Sequence, residues 1–265
     1  MLQNEQLFAG EANTRNGESS TTFQRAYLDG NIGSLKLTAG RYNDSILDGD
    51  IYSHRVDGIK ASVGKDVKFT AAYGKMSSDD NILGKATDDS SVAGKYWRAQ
   101  VNGNVGKIGL EANYVVASDV KDQVIDDTKQ DSKIWTLGAK YAANNWTLGA
   151  TYLKGNNDYA DSKDYSSNGY IFGFTVGGAK AAKPGTVGFW AKYYSMPAAT
   201  SLSNGFDLAI TNERTNGYKG YGVGVDYTVA KNMVASVEYG DFKNKDGNDE
   251  NSKTKTLWSQ LVVTF

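Results

Sequence analysis

Leu257-Trp258-Ser259-Gln260-Leu261-Val262-Val263-Thr264-Phe265 closes the chain, and its reading decides the fold class. In an extended strand, successive side chains point to opposite faces. Leu257, Leu261, Val263 and Phe265 then share one face, and Trp258, Gln260 and Thr264 the other. A sheet in water has little reason to finish on a bare strand ended by an aromatic. A barrel does, because its last strand pairs with its first and removes the sheet edges.

The same alternation recurs backward through the sequence in stretches of ten to twelve residues, long enough for a tilted strand to cross a bilayer. The pattern predicts strands at 2–13, 20–31, 34–43, 53–63, 66–76, 93–103 and 106–117. It continues with 132–143, 145–155, 168–178, 185–196, 217–229, 231–243 and 254–265. Short turns (Asn31-Ile32-Gly33, Gly64-Lys65-Asp66, Gly103-Asn104, Asn144-Asn145, Lys183-Pro184, Ala230-Lys231-Asn232) alternate with longer polar loops. Fourteen strands leave both chain ends on the turn side. No linker or repeat interrupts them, so residues 1–265 are read as one all-β domain, a transmembrane antiparallel β-barrel.

Composition agrees. Mean hydropathy is −0.50, and no run of about 18 apolar residues exists that could form a spanning helix. A barrel needs only every second residue apolar. Two prolines in 265 residues suit long pairing strands. With 29 basic and 30 acidic residues the chain lacks the basic excess of a nucleic-acid binder. Without cysteine it has no disulfide or thiolate metal site. Residues 1–6 have neither a basic stretch nor an apolar core, so no leader peptide is read there, and a mature form or a fragment is expected.

The two faces differ in kind. One carries Val67-x-Phe69-x-Ala71-x-Tyr73, Ile108-x-Leu110-x-Ala112-x-Tyr114, Trp146-x-Leu148-x-Ala150-x-Tyr152 and similar stripes, with aromatics at the ends and aliphatics between. A lipid-facing band with two aromatic girdles has that order. The other face carries Lys68, Arg98, Gln100, Glu111, Thr136 and Lys140. A Lys or Arg facing mid-bilayer costs about 2–4 kcal/mol, so this face is expected to line water. A barrel of this size encloses a lumen too wide for side chains to fill.

Arg25-Ala26-Tyr27-Leu28-Asp29-Gly30, Gly33-Ser34-Leu35-Lys36-Leu37-Thr38-Ala39-Gly40-Arg41 and Arg55-Val56-Asp57-Gly58-Ile59-Lys60 resemble the general bacterial porins. The wording is most similar to the barrel of OmpM-type porins of diderm Firmicutes, in which an S-layer-homology domain precedes it. The resemblance implies an outer-membrane diffusion channel for small hydrophilic solutes and ions, without cofactor or metal, and a homotrimer. It implies contact with outer-membrane lipid and lipopolysaccharide, and with the barrel assembly machinery through a terminal signal at Leu261, Val263 and Phe265. It also implies that the loop at 43–54 folds inward, with Asp44, Asp48 and Asp50 as the acidic side of a constriction. Arg25, Lys36, Arg41, Lys60, Lys68 and Arg98 would supply the basic side. Arg41 shares parity with Leu35 and Leu37, so either it sits above the membrane or a bulge turns it inward. Family porins usually have sixteen strands, with this loop after the fifth. Here it follows the third, so the chain is either a fourteen-stranded relative or lacks a first hairpin.

Other signals are weaker. Asp79, Asp80, Asp88 and Asp89 fit a solvated rim, as no ligand spacing singles them out. His54, the single histidine, has no nucleophile motif beside it, which speaks against a barrel hydrolase. A structural or adhesive barrel, its lumen plugged by long loops, is the competing reading. Lumen bases outnumber lumen acids, a hint of anion preference, but the Asp-rich loops pull the other way.

Overall fold

The computed structural model describes residues 2–6, 19–23, 25–76, 94–121, 129–202, 216–247 and 252–264. Its strands are β1 (Leu2–Gln6), β2 (Ser19–Phe23), β3 (Ala26–Ile32), β4 (Leu35–Ile46), β5 (Tyr52–Val63), β6 (Val67–Met76), β7 (Lys95–Val105) and β8 (Ile108–Lys121). They continue with β9 (Lys129–Ala142), β10 (Trp146–Asn157), β11 (Asn168–Gly177), β12 (Val187–Met196), β13 (Tyr218–Ala230), β14 (Met233–Lys243) and β15 (Lys253–Val263). β3 to β15 form one 13-stranded sheet in sequence order, and β1 and β2 form a separate antiparallel pair. Every pairing is antiparallel, because each strand meets the next through a hairpin.

The sheet curls on itself. Asp48, between β4 and β5, reaches Lys140 on β9, and Asp50 reaches Lys192 on β12. In a flat sheet β4 and β12 would stand about 38 Å apart, at ~4.8 Å per strand spacing. Only a barrel wall brings them together across a lumen. Among the described residues no helix is long and apolar enough to cross a membrane.

The outward face is the apolar one. Val67, Phe69, Tyr73, Leu137, Leu148, Phe172, Phe189 and Val225 are all exposed. Left in water, each such side chain would forgo about 1.5–3 kcal/mol of burial, so the belt calls for hydrocarbon. Toward the loop end Trp97 meets Tyr114 edge to face and Tyr114 stacks on Trp135, with centroids 5.0 and 4.0 Å apart. Toward the turn end Tyr141, Trp146 and Phe174 form a second row at 5.5 and 6.3 Å. Leu257, Leu261 and Val263 lie on this outer face as the alternation predicts, while Phe265 lies outside the described residues.

Several boundaries differ from the sequence reading. The expected strand 20–31 is divided: β2 pairs with β1, and β3 pairs with β4. Of the expected strand 2–13, residues 7–13 lie outside the described residues. The turn expected at Gly103-Asn104 sits at Gly106-Lys107, since pairing continues through Asn104↔Gly109 to Val105↔Ile108. Gly106 takes the left-handed φ of 61° that this tight connection requires. The turn read at Lys183-Pro184 is a longer connection, 178–186. It is pinned by Thr186, which accepts from Lys180 N, donates to the Lys183 carbonyl and bonds to Thr228 Oγ1 at 3.0 Å.

Candidate functional site

The loop between β4 and β5 is shorter than 43–54. The ladder runs on through Asp44↔His54 to Ile46↔Tyr52, leaving only 47–51 unpaired. Its tip is tightly wound: Leu47, Asp48 and Gly49 all have positive φ, at 53°, 54° and 99°. Such angles are uncommon for Leu and Asp and persist where surroundings hold them. The surroundings here are two ion pairs from the loop to β9 and β12, and a third from the adjoining end of β4 to β7.

Asp44 lies on β4 rather than in the loop and points inward. It is 2% exposed. Arg98 on β7 grips it in bidentate fashion, with Nε and Nη2 each 2.8 Å from a carboxylate oxygen. The Tyr96 hydroxyl donates at 2.7 Å, and Lys60 Nζ at 3.3 Å. A buried carboxylate is tolerable when its lone pairs are met in this way. Asp50, at the loop's far side, receives both oxygen contacts from Lys192 Nζ, at 2.9 and 3.0 Å. Burial pushes the Asp50 carboxyl above its usual range, against the attraction of Lys192. Asp48, at the tip, meets Lys140 at 3.1 Å with both side chains well exposed.

The acids and bases that the sequence suggested as opposed rows are therefore largely in direct contact. Arg98 and Lys60 hold Asp44. Lys36 is 3.3 Å from Asp29 on β3. Arg25 and Lys68 share a lumen cavity of about 420 Å³ with Lys36 and Lys60. Arg41 does not join them, which corrects its reading as a pore-lining base. Its strand keeps the parity of Leu37 and Ala39, and Asp57 stands directly opposite. That carboxylate accepts from Nε at 2.7 Å and from Nη2 at 2.8 Å, so no bulge is needed. A second cavity, of about 340 Å³, lies on the other side of the loop between Asp48, Glu111, Lys140 and Lys192.

His54 faces inward opposite Asp44, its ring edge-on to Tyr52 at 5.7 Å. Asp79, Asp80, Asp88 and Asp89 lie outside the described residues. Among the described residues no group of three or more His, Asp or Glu is placed to hold a metal ion.

One feature of the lumen was not anticipated. Toward the loop end its wall is apolar and packed. Tyr42, Val56, Met76, Tyr96, Val115, Ile134, Leu153, Ile171, Tyr194, Tyr218 and Phe242, one from each wall strand from β4 to β14, are inward and buried in one cluster. Ile51 from the β4–β5 loop, Tyr52 at the start of β5 and Leu202 from the segment after β12 fill it, joined where Leu202 N donates to the Ile51 carbonyl at 3.3 Å. A 3-10 turn, Ala198–Thr200, seats against Gly155, where a Cβ would collide with the Ala199 carbonyl. The sequence did carry a signal for this. At Tyr96-Trp97, Ile134-Trp135, Tyr152-Leu153 and Tyr193-Tyr194 the alternation fails and both faces become apolar.

A barrel with an apolar outer belt, a loop drawn into its lumen and short turns at one end can be compared with solved structures. A substituted form of Rh. blastica porin aligns over 92% of this chain and 78% of its own, at 14% identity and a TM-score of 0.52. OmpT, an outer membrane protein of Vibrio cholerae in its trimer form, aligns over 93% and 79%, at 14% identity and a TM-score of 0.55. The chain has the fold of a bacterial outer-membrane porin. Pseudomonas aeruginosa OccK9 aligns over 87% of this chain and 63% of its own, at 11% identity and a TM-score of 0.50. No family model matches the chain, and no curated protein matches it by sequence. The porin fold and its apolar belt together place the barrel in a bacterial outer membrane.

Proposed function

We propose that the chain is a passive diffusion channel for small hydrophilic solutes and ions, and not an enzyme. The observation that carries this reading is the 47–51 loop. It is drawn inward and tied to β9 and β12 through Asp48 and Asp50, next to the Asp44–Arg98 pair that joins β4 to β7, and water-accessible space remains on both sides of it. A constriction of charged side chains set by a rigid loop selects by size and electrostatics, with no reaction centre. Folded protein inserted into planar bilayers is expected to give steps of nanosiemens order, and sugars are expected to swell liposomes that contain it. A folded barrel that carries no current would defeat the reading.

The packed apolar collar favours one alternative, a structural or adhesive barrel plugged at its loop end. It predicts silence in the same bilayers.

Homotrimerisation is proposed on the family resemblance, with the Vibrio cholerae protein as a trimeric counterpart of the same fold. The candidate contact is the outward stripe of Ala26, Leu28, Leu35, Leu37 and Ala39 within residues 20–43, where Leu28 pairs with Ala39 and Ile32 with Leu35. Native mass spectrometry of detergent-solubilised protein tests it, and a monomer mass argues against it. Kinship with OmpM-type porins, contact with lipopolysaccharide, and reading of the terminal strand by assembly machinery are proposed on sequence resemblance.

A further inference from the structure

The cavities on the two sides of the loop carry opposite charge. The one beneath β3 to β6 is lined by Arg25, Lys36, Lys60 and Lys68 against a single lining acid, Asp29. Asp29 is already engaged by the Thr38 hydroxyl at 2.6 Å and by Lys36. Asp44 touches Lys60, but both its oxygens are held closer by Arg98. Counting Arg98 and Asp44, five bases surround this cavity against two acids among the described residues. The cavity beneath β7 to β12 has Lys140 and Lys192 against Asp48, Asp50 and Glu111, a small excess of acid.

Two details sharpen the contrast. Lys60 Nζ sits 4.7 Å above the Tyr42 ring, which holds it at the cavity wall. Lys68 is exposed toward the cavity, and the register sets Asn102, an amide, across from it on β7. Glu111 follows one strand further on, about 10 Å from Lys68 at ~4.8 Å per spacing. The hydroxyls of Ser62 and Thr70, 3.1 Å apart, lie beside the lysines and offer hydrogen bonds to an oxyanion.

We propose that the juxtaposition of Lys36, Lys60 and Lys68 beside Ser62 forms an anion subsite, and that the pore passes small carboxylates and phosphates in preference to cations. The inference rests on the channel reading above. It follows because Asp44 on β4 and the loop acids Asp48 and Asp50, which would otherwise attract cations, are spent on Arg98, Lys140 and Lys192. Positive charge in a low-dielectric wall raises the local concentration of anions.

Reversal potential in a potassium chloride gradient across a planar bilayer tests it. The wild-type pore is expected to favour chloride, and inorganic phosphate is expected to reduce the chloride current. The triple variant Lys36→Gln, Lys60→Gln, Lys68→Gln is expected to bring the permeability ratio to one or below. Should the triple variant fail to fold, Lys68→Glu alone still tests the proposal, since among the described residues it breaks no ion pair. Its half-blocking phosphate concentration should rise about tenfold, as loss of one charged contact implies. Lys154→Gln, on the outer face, serves as the control and should change neither reading. A cation-selective wild type, or a reversal potential indifferent to both lumen variants, overturns the subsite and leaves the channel standing. No current from folded wild type overturns the channel itself, and the subsite with it.

Discussion

The two halves of the lumen obey different rules although the same strands build them. Toward the turns the inner wall reads Thr147, Gly149, Thr151 and Gly173, small and polar residues that leave room for water. Toward the loops the same parity carries Leu153, Ile171, Tyr194 and Tyr218, packed to under 6% exposure. The first half behaves as a wetted surface. The second behaves as the core of a globular protein, with two loop segments as its filling. On the channel reading proposed above, rigidity around the loop comes from the second half and a path for solutes from the first.

Substitutions should separate these roles. The largest effect is expected from Asp44→Ala, which leaves Arg98 buried without its partner. Breaking a buried pair on one side costs about 3–5 kcal/mol, and thermal unfolding followed by circular dichroism would register it. Leu153→Ala in the packed half should cost about 2–5 kcal/mol. Thr151→Ala, one inward position nearer the turns, should stay within about 0.5 kcal/mol. Equal costs at the two positions would erase the distinction between the halves.

Asp48→Ala should change stability by only about 0–1 kcal/mol, because both partners of its ion pair are exposed. Its conductance should nonetheless rise, since the pair spans the open part of the lumen. Single-channel recording decides. An unchanged conductance would move the narrowest point elsewhere.

The smallest effect concerns pH. Asp50 and Asp246 are both held above the ordinary carboxylate value of 3.8, chiefly by burial. Each therefore binds its proton more tightly in the folded chain than in the unfolded one. Their contribution to stability is full below 3.8 and is lost as pH rises through the raised values. Asp50→Asn should flatten that part of the pH dependence of melting, whereas an unaltered slope would deny Asp50 any share in it.

Most of the barrel was legible because hydrocarbon imposes a period of two. Val67-x-Phe69-x-Ala71-x-Tyr73 can be read in only one way once lipid is the solvent on one side. The inward approach of Asp48 and Asp50 was expected only through resemblance. Nothing in local sequence joins Asp50 to Lys192, which are 142 residues apart. Arg41 shows the opposite case. Its parity with Leu35 and Leu37 argued for the outer face, and the carboxylate that makes this tolerable, Asp57, lies one strand away, where linear reading does not look. The apolar collar was hidden because its residues sit where alternation breaks down, and a break in pattern reads first as a strand end.

The reach of the β4–β5 loop also sets an order of events. Asp44 and Arg98 are 54 residues apart, Asp48 and Lys140 are 92, and Asp50 and Lys192 are 142. Contacts between distant segments must wait until the intervening chain is in place. Strands laid down from β4 onward would capture the tip one carboxylate at a time, and the last clasp could close only after β12 had joined the wall. A chain halted before that point would hold a barrel fragment with its inner loop unfastened.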